Sequence, residues 1–123
     1  MGERLLEILV FVFGGMAYGM IEILFRGYTH WTMVLTGGAC VLTIYILSGW
    51  LMETPLILGA LACAFIITTY ELCVGLLVNL RLGWAVWDYS DMPCNVLGQI
   101  CPTFTGIWFL LCLVFLAIVK LFA

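Results

Sequence analysis

Two carboxylates, Glu22 and Glu71, lie within long apolar runs of this chain, where an ionisable group is costly and tends to be functional. Glu22 precedes Arg26 by one helical turn, so the two side chains have the spacing of an i,i+4 ion pair at a membrane interface. In the alternative interpretation, Glu22 and Glu71 are ligand or proton sites that face a protein interior or a cavity. The spacing leaves both interpretations open.

Glu71 also belongs to a polar stripe. Thr68, Glu71, Gly75 and Asn79 recur at steps of three, four and four, which places them on one face of a helix. A carboxylate at this depth needs a partner. We expect either buried pairing with a basic residue or a role in binding a transported ligand. The candidate basic partners are Arg26, His30 and Arg81.

The segment 83–102, GWAVWDYSDMPCNVLGQICP, is the only long run without hydrocarbon character. Asp88 and Asp91 are three residues apart, a spacing that could hold a divalent ion on one helical face, although loop solvation explains them equally well. Residues 92–99 could form a short interfacial or re-entrant helix with Asp91 as its N-cap. The segment is then either a lid over a cavity or a brace for the helices.

The composition requires a bilayer as the main solvent. Hydrophobic residues make up 66% of the 123 residues and charged residues only 9%, and the mean hydropathy is +1.25, far from soluble globular proteins. The net charge of −3 includes no basic patch, so a nucleic-acid partner is not expected. The N-terminal run lacks the positive start and small-residue exit of a signal peptide, which predicts a retained span.

Four apolar segments, each near the roughly 20 residues that cross a bilayer, predict an all-α membrane protein. The predicted spans are 5–25, 32–51, 55–80 and 104–122. Thr54 and Pro55 suit the N-cap and first position of the third helix, while Gly15 and Gly19 allow a neighbouring helix to approach closely. Short loops make neighbours antiparallel, so the prediction is a single four-helix up-and-down bundle over residues 1–123.

The distribution of Lys and Arg residues does not determine the orientation of the chain in the membrane. With four spans, Arg4 and Lys120 lie on one side of the membrane, and Arg26 and Arg81 on the other. The positive-inside rule therefore has nothing to act on. Both a fixed orientation and a dual topology with antiparallel dimers agree with this balance.

Metal, redox and nucleotide chemistry have little support. The six cysteines include no C-x-x-C pair, and a single histidine is too few for a typical zinc site. Cys94 and Cys101 would pair only if the connection folds back on itself. No Walker A motif occurs, so no ATP hydrolysis through a P-loop is expected. We predict no cofactor, no metal site and no catalytic residue. Trp87 and Tyr89 fit the aromatic belt of a membrane protein less well than the other aromatic residues do.

The motif Trp87-Asp88-Tyr89-Ser90, followed by Pro93, Asn95, Gly98, Gln99, Ile100 and Cys101, resembles the ABC-transporter type IV, or CmpB-like, family of small bacterial integral membrane proteins. The resemblance extends over most of the chain. It implies a transport component in the bacterial cytoplasmic membrane, acting as a homodimer or with a partner membrane subunit. Because the chain has no nucleotide-binding domain, an ATP-driven role would need a separate ATPase.

Three functions follow. The leading hypothesis is a small transporter, channel-like protein or transporter subunit. Its polar site, between the first and third helices and capped by the WDYS segment, would take a cation or small amine. The alternatives are an interfacial enzyme acting on a lipid or isoprenoid, and a non-catalytic scaffold or regulatory subunit. The candidate ligand-binding residues are Glu22, Arg26, His30, Glu71, Asn79, Arg81, Trp87, Asp88, Tyr89, Asn95 and Gln99.

Overall fold

The computed structural model describes residues 2–122, in which helices are joined by short turns and by one long segment, residues 82–101, called the connection below. The elements are α1 (Gly2–Arg26), α2 (Trp31–Ile46), α3 (Ser48–Glu53), α4 (Leu56–Gly75), a π-helical segment (Leu76–Arg81) that continues α4, and α5 (Pro102–Phe122). Three stretches are long and apolar enough to cross a membrane: Gly2–Arg26, Leu56–Arg81 and Pro102–Phe122. The prediction of an all-α membrane protein is therefore confirmed.

The predicted second span is not one continuous helix. α2 ends at Ile46, and a turn at Leu47 separates it from α3. Leu47 leaves the helical region with φ −87° and ψ 6°, and the Ser48-Gly49 pair that follows is a common site of helix kinks. The 16 residues of α2 rise about 24 Å at 1.5 Å per residue, so α2 alone is shorter than the roughly 30 Å hydrocarbon layer.

The start of α4 differs from the prediction by one position. α4 begins at Leu56 with Pro55 as its N-cap, so Thr54 does not cap it. The Thr54 hydroxyl instead donates to the Trp50 carbonyl, at the end of α3, with an oxygen–oxygen distance of 2.7 Å. At its other end the spanning helix changes to π-helical hydrogen bonding over Leu76–Arg81, an arrangement that is frequent at functional sites.

The chain divides into two compact units after Leu47. In the first unit, α1 and α2 pack through glycines on both helices. A Cβ atom on Gly15 would lie 2.5 Å from the Val34 carbonyl oxygen, and one on Gly38 would lie 2.7 Å from the Phe11 carbonyl oxygen. Only residues without a side chain allow the two backbones to be this close. The close approach predicted at Gly15 is confirmed.

The second unit contains α3, α4 and α5, and its core runs between the two long helices. Small and medium side chains fill it: Ala60, Cys63, Ala64, Cys112 and Leu116 are all buried. Towards the connection the contact becomes polar, since the Thr68 and Thr105 hydroxyl oxygens are 3.0 Å apart in a hydrogen bond between the helices. This polar end of the α4–α5 pair is where the candidate site begins.

Candidate functional site

The polar stripe of α4 is a contact surface within the second unit. Each of its members meets the connection or α5: Thr68 binds Thr105, Glu71 binds Tyr89 and Trp108, Gly75 contacts Gln99, and Asn79 binds Gln99. The stripe therefore faces the protein interior, as ionisable and polar groups in a span are expected to do. Through these contacts the connection packs against the C-terminal part of the helix formed by α4 and the π-helical segment.

Glu71 is the most deeply placed of these groups, with 1% of its surface exposed. Its Oε1 accepts a hydrogen bond from the Trp108 indole Nε1 at 2.8 Å, and its Oε2 accepts one from the Tyr89 hydroxyl at 3.3 Å. Helical side chains lean towards the N-terminus of their helix, so Trp108 of α5 and Glu71 of antiparallel α4 lean towards each other. Neither partner is among the basic residues that the sequence suggested.

The two hydrogen bonds of Glu71 differ in quality. A distance of 2.8 Å is typical of a strong N–H···O bond, whereas 3.3 Å lies beyond the usual 2.5–3.0 Å range for O–H···O bonds. The Tyr89 ring has a second contact, because it stacks on Phe104 with ring centroids 4.7 Å apart and planes 7° apart. The connection is thus held at Tyr89 by ring packing and by a weak hydrogen bond to the buried carboxylate.

Gln99 is the stronger anchor of the connection. Its side chain is buried, with its Oε1 accepting from Asn79 Nδ2 at 2.7 Å and its Nε2 donating to the Leu97 carbonyl at 3.0 Å. Its backbone carbonyl accepts from the buried Trp87 indole at 3.0 Å. Asn79 also accepts from the Val86 backbone N–H at 2.7 Å. Gly75 has no side chain, and Gln99 occupies the space where one would be.

Trp87 is buried, whereas Trp31, Trp50 and Trp84 are exposed, and its indole N–H donates to the Gln99 carbonyl. An aromatic belt residue lies at the headgroup level, with its polar tip in water. The burial of Trp87 agrees with the expectation that it fits the aromatic belt less well than the other aromatic residues do. Trp87 instead lies in the buried part of the connection, next to Gln99.

Residues 92–99 do not form the predicted interfacial or re-entrant helix; between Arg81 and Pro102 the described chain consists of turns and one isolated bridge, Val96–Ile100. Side-chain hydrogen bonds to the backbone replace helical ones. Asp88 Oδ1 accepts from Ser90 N at 2.9 Å, and Asn95 Oδ1 accepts from Gly98 N at 2.9 Å. Such local bonds by Asp and Asn compete with helix formation. Asp88 and Asn95, both candidate ligand residues, have turn-forming roles here.

The tip of the connection is a strained hairpin turn. Gln99 N donates to the Val96 carbonyl at 3.0 Å, and the two central residues, Leu97 and Gly98, have φ of 57° and 75°. Positive φ at both central positions defines a type I′ turn. Leucine is disfavoured in this region of backbone space, and Ala85 and Cys94 in the same connection also have positive φ. Strain of this kind concentrates at switches and ligand clamps.

Replacing Leu97 with glycine is expected to stabilise the protein by up to about 1 kcal/mol, because the left-handed conformation costs a branched residue about 1–2 kcal/mol and costs glycine almost nothing. Leu97 is 64% exposed, so little packing is lost. The neighbouring Val96→Gly variant, at a position without positive φ, is expected to lose about 0.5–1 kcal/mol. Thermal unfolding in detergent measures both, and a lower midpoint for Leu97→Gly would contradict the strain.

Three further candidate residues, Glu22, Arg26 and His30, belong to the first unit. Arg26 Nε lies 2.7 Å from Glu22 Oε2, so the predicted i,i+4 ion pair is confirmed. The Arg26 guanidinium also lies 4.7 Å from the centre of the Tyr28 ring, within range of a cation–π interaction. His30 is the N-cap of α2: its Nδ1 accepts from Thr32 N at 3.2 Å. These contacts give Glu22, Arg26 and His30 structural roles at the turn between α1 and α2.

Arg81 is exposed at the end of the π-helical segment, and Asp91 is exposed in the connection. The described residues contain no group of three or more His, Cys, Asp or Glu side chains placed to hold a metal ion. All six cysteines lie in the described part of the chain, and none forms a disulfide, so Cys94 and Cys101 are not paired. The interfacial-enzyme hypothesis gains no observation from this arrangement.

Sequence reasoning missed the contribution of α5. Trp108, Phe104 and Thr105 complete the surroundings of the α4 stripe, although α5 has the least polar sequence of the spans. Thr105 and Trp108 are spaced i,i+3 and so share one face of α5. A tryptophan in the body of a span, away from the interface where tryptophans concentrate, was the available signal.

Comparison with known proteins adds the family. A family model described as "Putative ABC-transporter type IV" matches residues 8–123, nearly the whole chain. Neither the curated proteins nor the solved structures compared with the chain give a match. The motif residues quoted above, from Trp87 to Cys101, fall inside the matched region. The chain therefore belongs to the family described as "Putative ABC-transporter type IV" and is an ABC-transporter-related integral membrane protein.

Proposed function

We propose that this protein is the membrane-embedded component of a transport system and that Glu71 binds a cation or a small amine. The observation that carries the proposal is a fully buried carboxylate in a membrane-spanning helix, held by one donor from the connection and one from α5. Intramembrane carboxylates that face the interior of a bundle mark ligand and ion pathways in membrane proteins.

The surroundings of Glu71 match an organic cation. Tyr89, Phe104 and Trp108 bring three aromatic rings to the carboxylate or to its immediate partner. Aromatic faces attract ammonium groups electrostatically, and the attraction grows when water is excluded. A carboxylate with aromatic neighbours therefore favours an amine over a neutral or anionic ligand.

The connection acts in this proposal as a lid that opens at Tyr89 and stays hinged at Gln99. Its hold on Glu71 is the long 3.3 Å bond, whereas its hold on Asn79 is a short 2.7 Å bond. The weaker contact is the one next to the buried carboxylate, so it separates first. Three non-glycine residues with positive φ lower the cost of leaving the closed conformation, because strain is released on opening.

The wider arrangement is part of the same proposal. The spans form one transmembrane domain with four-helix up-and-down topology. Glu22, Arg26 and His30 form a separate polar group within the first unit, and Arg81 is an exposed residue at the end of the π-helical segment in the second. The protein works in the bacterial cytoplasmic membrane as a homodimer or with a partner subunit, and a separate ATPase supplies energy if transport is ATP-driven.

Binding of small amines to the purified protein in nanodiscs tests the proposal. Glu71→Gln keeps the size of the side chain and removes its charge, so amine affinity is expected to fall roughly 10- to 100-fold, the value of one charge-assisted contact. Asp91→Asn is the matched control, because Asp91 is an exposed carboxylate in the connection whereas Glu71 is buried in α4. Equal affinities for wild-type protein and Glu71→Gln would refute the amine site.

A further inference from the structure

An apolar groove of about 750 Å³ runs along the outside of the α4–α5 pair. Its walls include Phe65 and Thr68 from α4, and Pro102, Thr105 and Phe109 from α5. The volume falls within the roughly 300–1,000 Å³ of small-molecule sites. Both walls are helices able to cross a membrane, so the groove opens towards hydrocarbon rather than water.

The length of the groove favours a single hydrocarbon chain over a transmembrane helix as its occupant. On α5 it extends from Pro102 to Phe109, which is about 10 Å at 1.5 Å per residue. A second transmembrane helix would need a contact surface closer to the roughly 30 Å hydrocarbon thickness. A groove of one third of that length suits the upper part of one hydrocarbon chain.

The position of the groove relates it to the polar site. Pro102 is the first residue of α5, where the helix meets the connection. At the same end Thr68 lines the groove and, on the same helix, precedes Glu71 by three residues, which puts both on one face. Glu71 itself is buried and does not line the groove, so a chain lying in the groove would have its polar end at the connection, about one helical turn from the carboxylate.

We infer that this groove holds the hydrocarbon chain of the ligand, so that the amine bound at Glu71 is an amphiphile. The inference rests on the proposed function for the identity of the head group. The chain packs between Phe65 and Phe109 while the ammonium group is attracted to Glu71. Ligand selection then combines charge complementarity at one end with burial of apolar surface at the other.

A photoactivatable dodecylamine, with the reactive group on its chain, tests the inference in nanodiscs. Labelling is expected at the groove helices near Phe65 and Phe109. Gly106→Phe fills the groove from a position where an added Cβ meets nothing within 4 Å. Excluding about two methylene groups from the groove weakens binding roughly tenfold. Gly106→Leu, a smaller filling, is expected to give a smaller loss. Ile118→Phe, on an exposed part of α5 away from the groove, is the matched control.

The two proposals fail in different ways. If Gly106→Phe and Gly106→Leu bind and position dodecylamine as the wild type does, while Glu71→Gln weakens it, the groove is refuted and the amine site stands. If Gly106→Phe abolishes groove labelling but Glu71→Gln changes nothing, the groove holds a chain and the amine site is refuted. Labelling spread equally over Ile118 and the groove would overturn the inference.

Discussion

Replacing Gly75 with alanine is expected to release the connection from α4 and to lower the free energy of unfolding by about 2–4 kcal/mol. A methyl group there would meet the Gln99 Oε1 directly and would lie 3.0 Å from its Cβ and 3.1 Å from its Cδ. Gln99 cannot simply rotate away, because Asn79, Leu97 and Trp87 all hold it. Overpacking costs about 1–3 kcal/mol and each lost hydrogen bond about 1 kcal/mol more.

Cysteine labelling provides the measurement. Cys101, at the end of the connection, is 2% exposed, whereas Cys94 in the same connection is exposed. In Gly75→Ala, the rate at which a water-soluble maleimide modifies Cys101 is expected to rise at least roughly 30-fold, the equivalent of 2 kcal/mol. The rate at Cys94 serves as the internal reference, since that thiol is accessible before and after release.

Gly106→Ala is the matched control for Gly75→Ala. Both glycines lie in long helices, but an added Cβ at Gly106 meets nothing within 4 Å. Its expected effect is a gain of up to about 1 kcal/mol, because alanine has the higher helix propensity, with Cys101 labelling unchanged. Unchanged labelling of Cys101 in Gly75→Ala would show that the Gly75–Gln99 contact does not hold the connection.

The contrast between these glycines shows what the sequence could and could not predict. The step of three, four and four residues placed Thr68, Glu71, Gly75 and Asn79 on one face of α4 and the π-helical segment that continues it, because helical periodicity is a local property. That Gly75 lies under Gln99, 24 positions on, depends on how the connection folds back. A turn-rich connection carries no periodic signal from which such pairing follows.

The absence of a helix at residues 92–99 has a local reason that the sequence does contain. Asp88, Asn95 and Gly98 are turn-forming residues, and each uses its side chain or its positive φ to stabilise a non-helical backbone. The prediction gave weight to the Asp91-Met92-Pro93 start signal and too little to the Asn95 and Gly98 stop signals. In the same way, the break at Leu47 follows from the Ser-Gly pair after it, which interrupts an otherwise apolar run.

Much of the family motif in the connection is explained by folding rather than by chemistry. Trp87, Asn95, Gly98 and Gln99 each make contacts that shape or anchor the segment. Tyr89 is the exception, because its hydroxyl extends to a carboxylate inside a span. We therefore assign ligand binding to Glu71 and the groups around it. The other motif residues named here are assigned to shaping or anchoring the connection.

The strongest test of this division between anchoring and ligand-binding residues removes the Tyr89 and Trp108 donors to Glu71 and then removes the carboxylate. Trp108→Phe is expected to cost about 1.5–3 kcal/mol, the range for hydrogen bonds to charged groups. Tyr89→Phe costs less, about 1 kcal/mol, because its bond is 3.3 Å long and the phenyl ring keeps its stacking on Phe104. The double variant is then expected to lose about 2.5–4 kcal/mol of unfolding free energy, measured by thermal unfolding.

Adding Glu71→Met to the double variant is expected to restore most of that stability, because replacing a buried polar group together with its partners by apolar groups is often close to neutral. Amine affinity in the triple variant should be as low as in Glu71→Gln, roughly 10- to 100-fold below the wild type, since a thioether carries no charge. If Glu71 only stabilised the structure, amine binding in the triple variant would instead recover together with stability. If the triple variant folds and binds amines as the wild type does, Glu71 has only a structural role and the proposed amine site is refuted. If it folds but binds amines weakly, the buried carboxylate takes part in ligand binding.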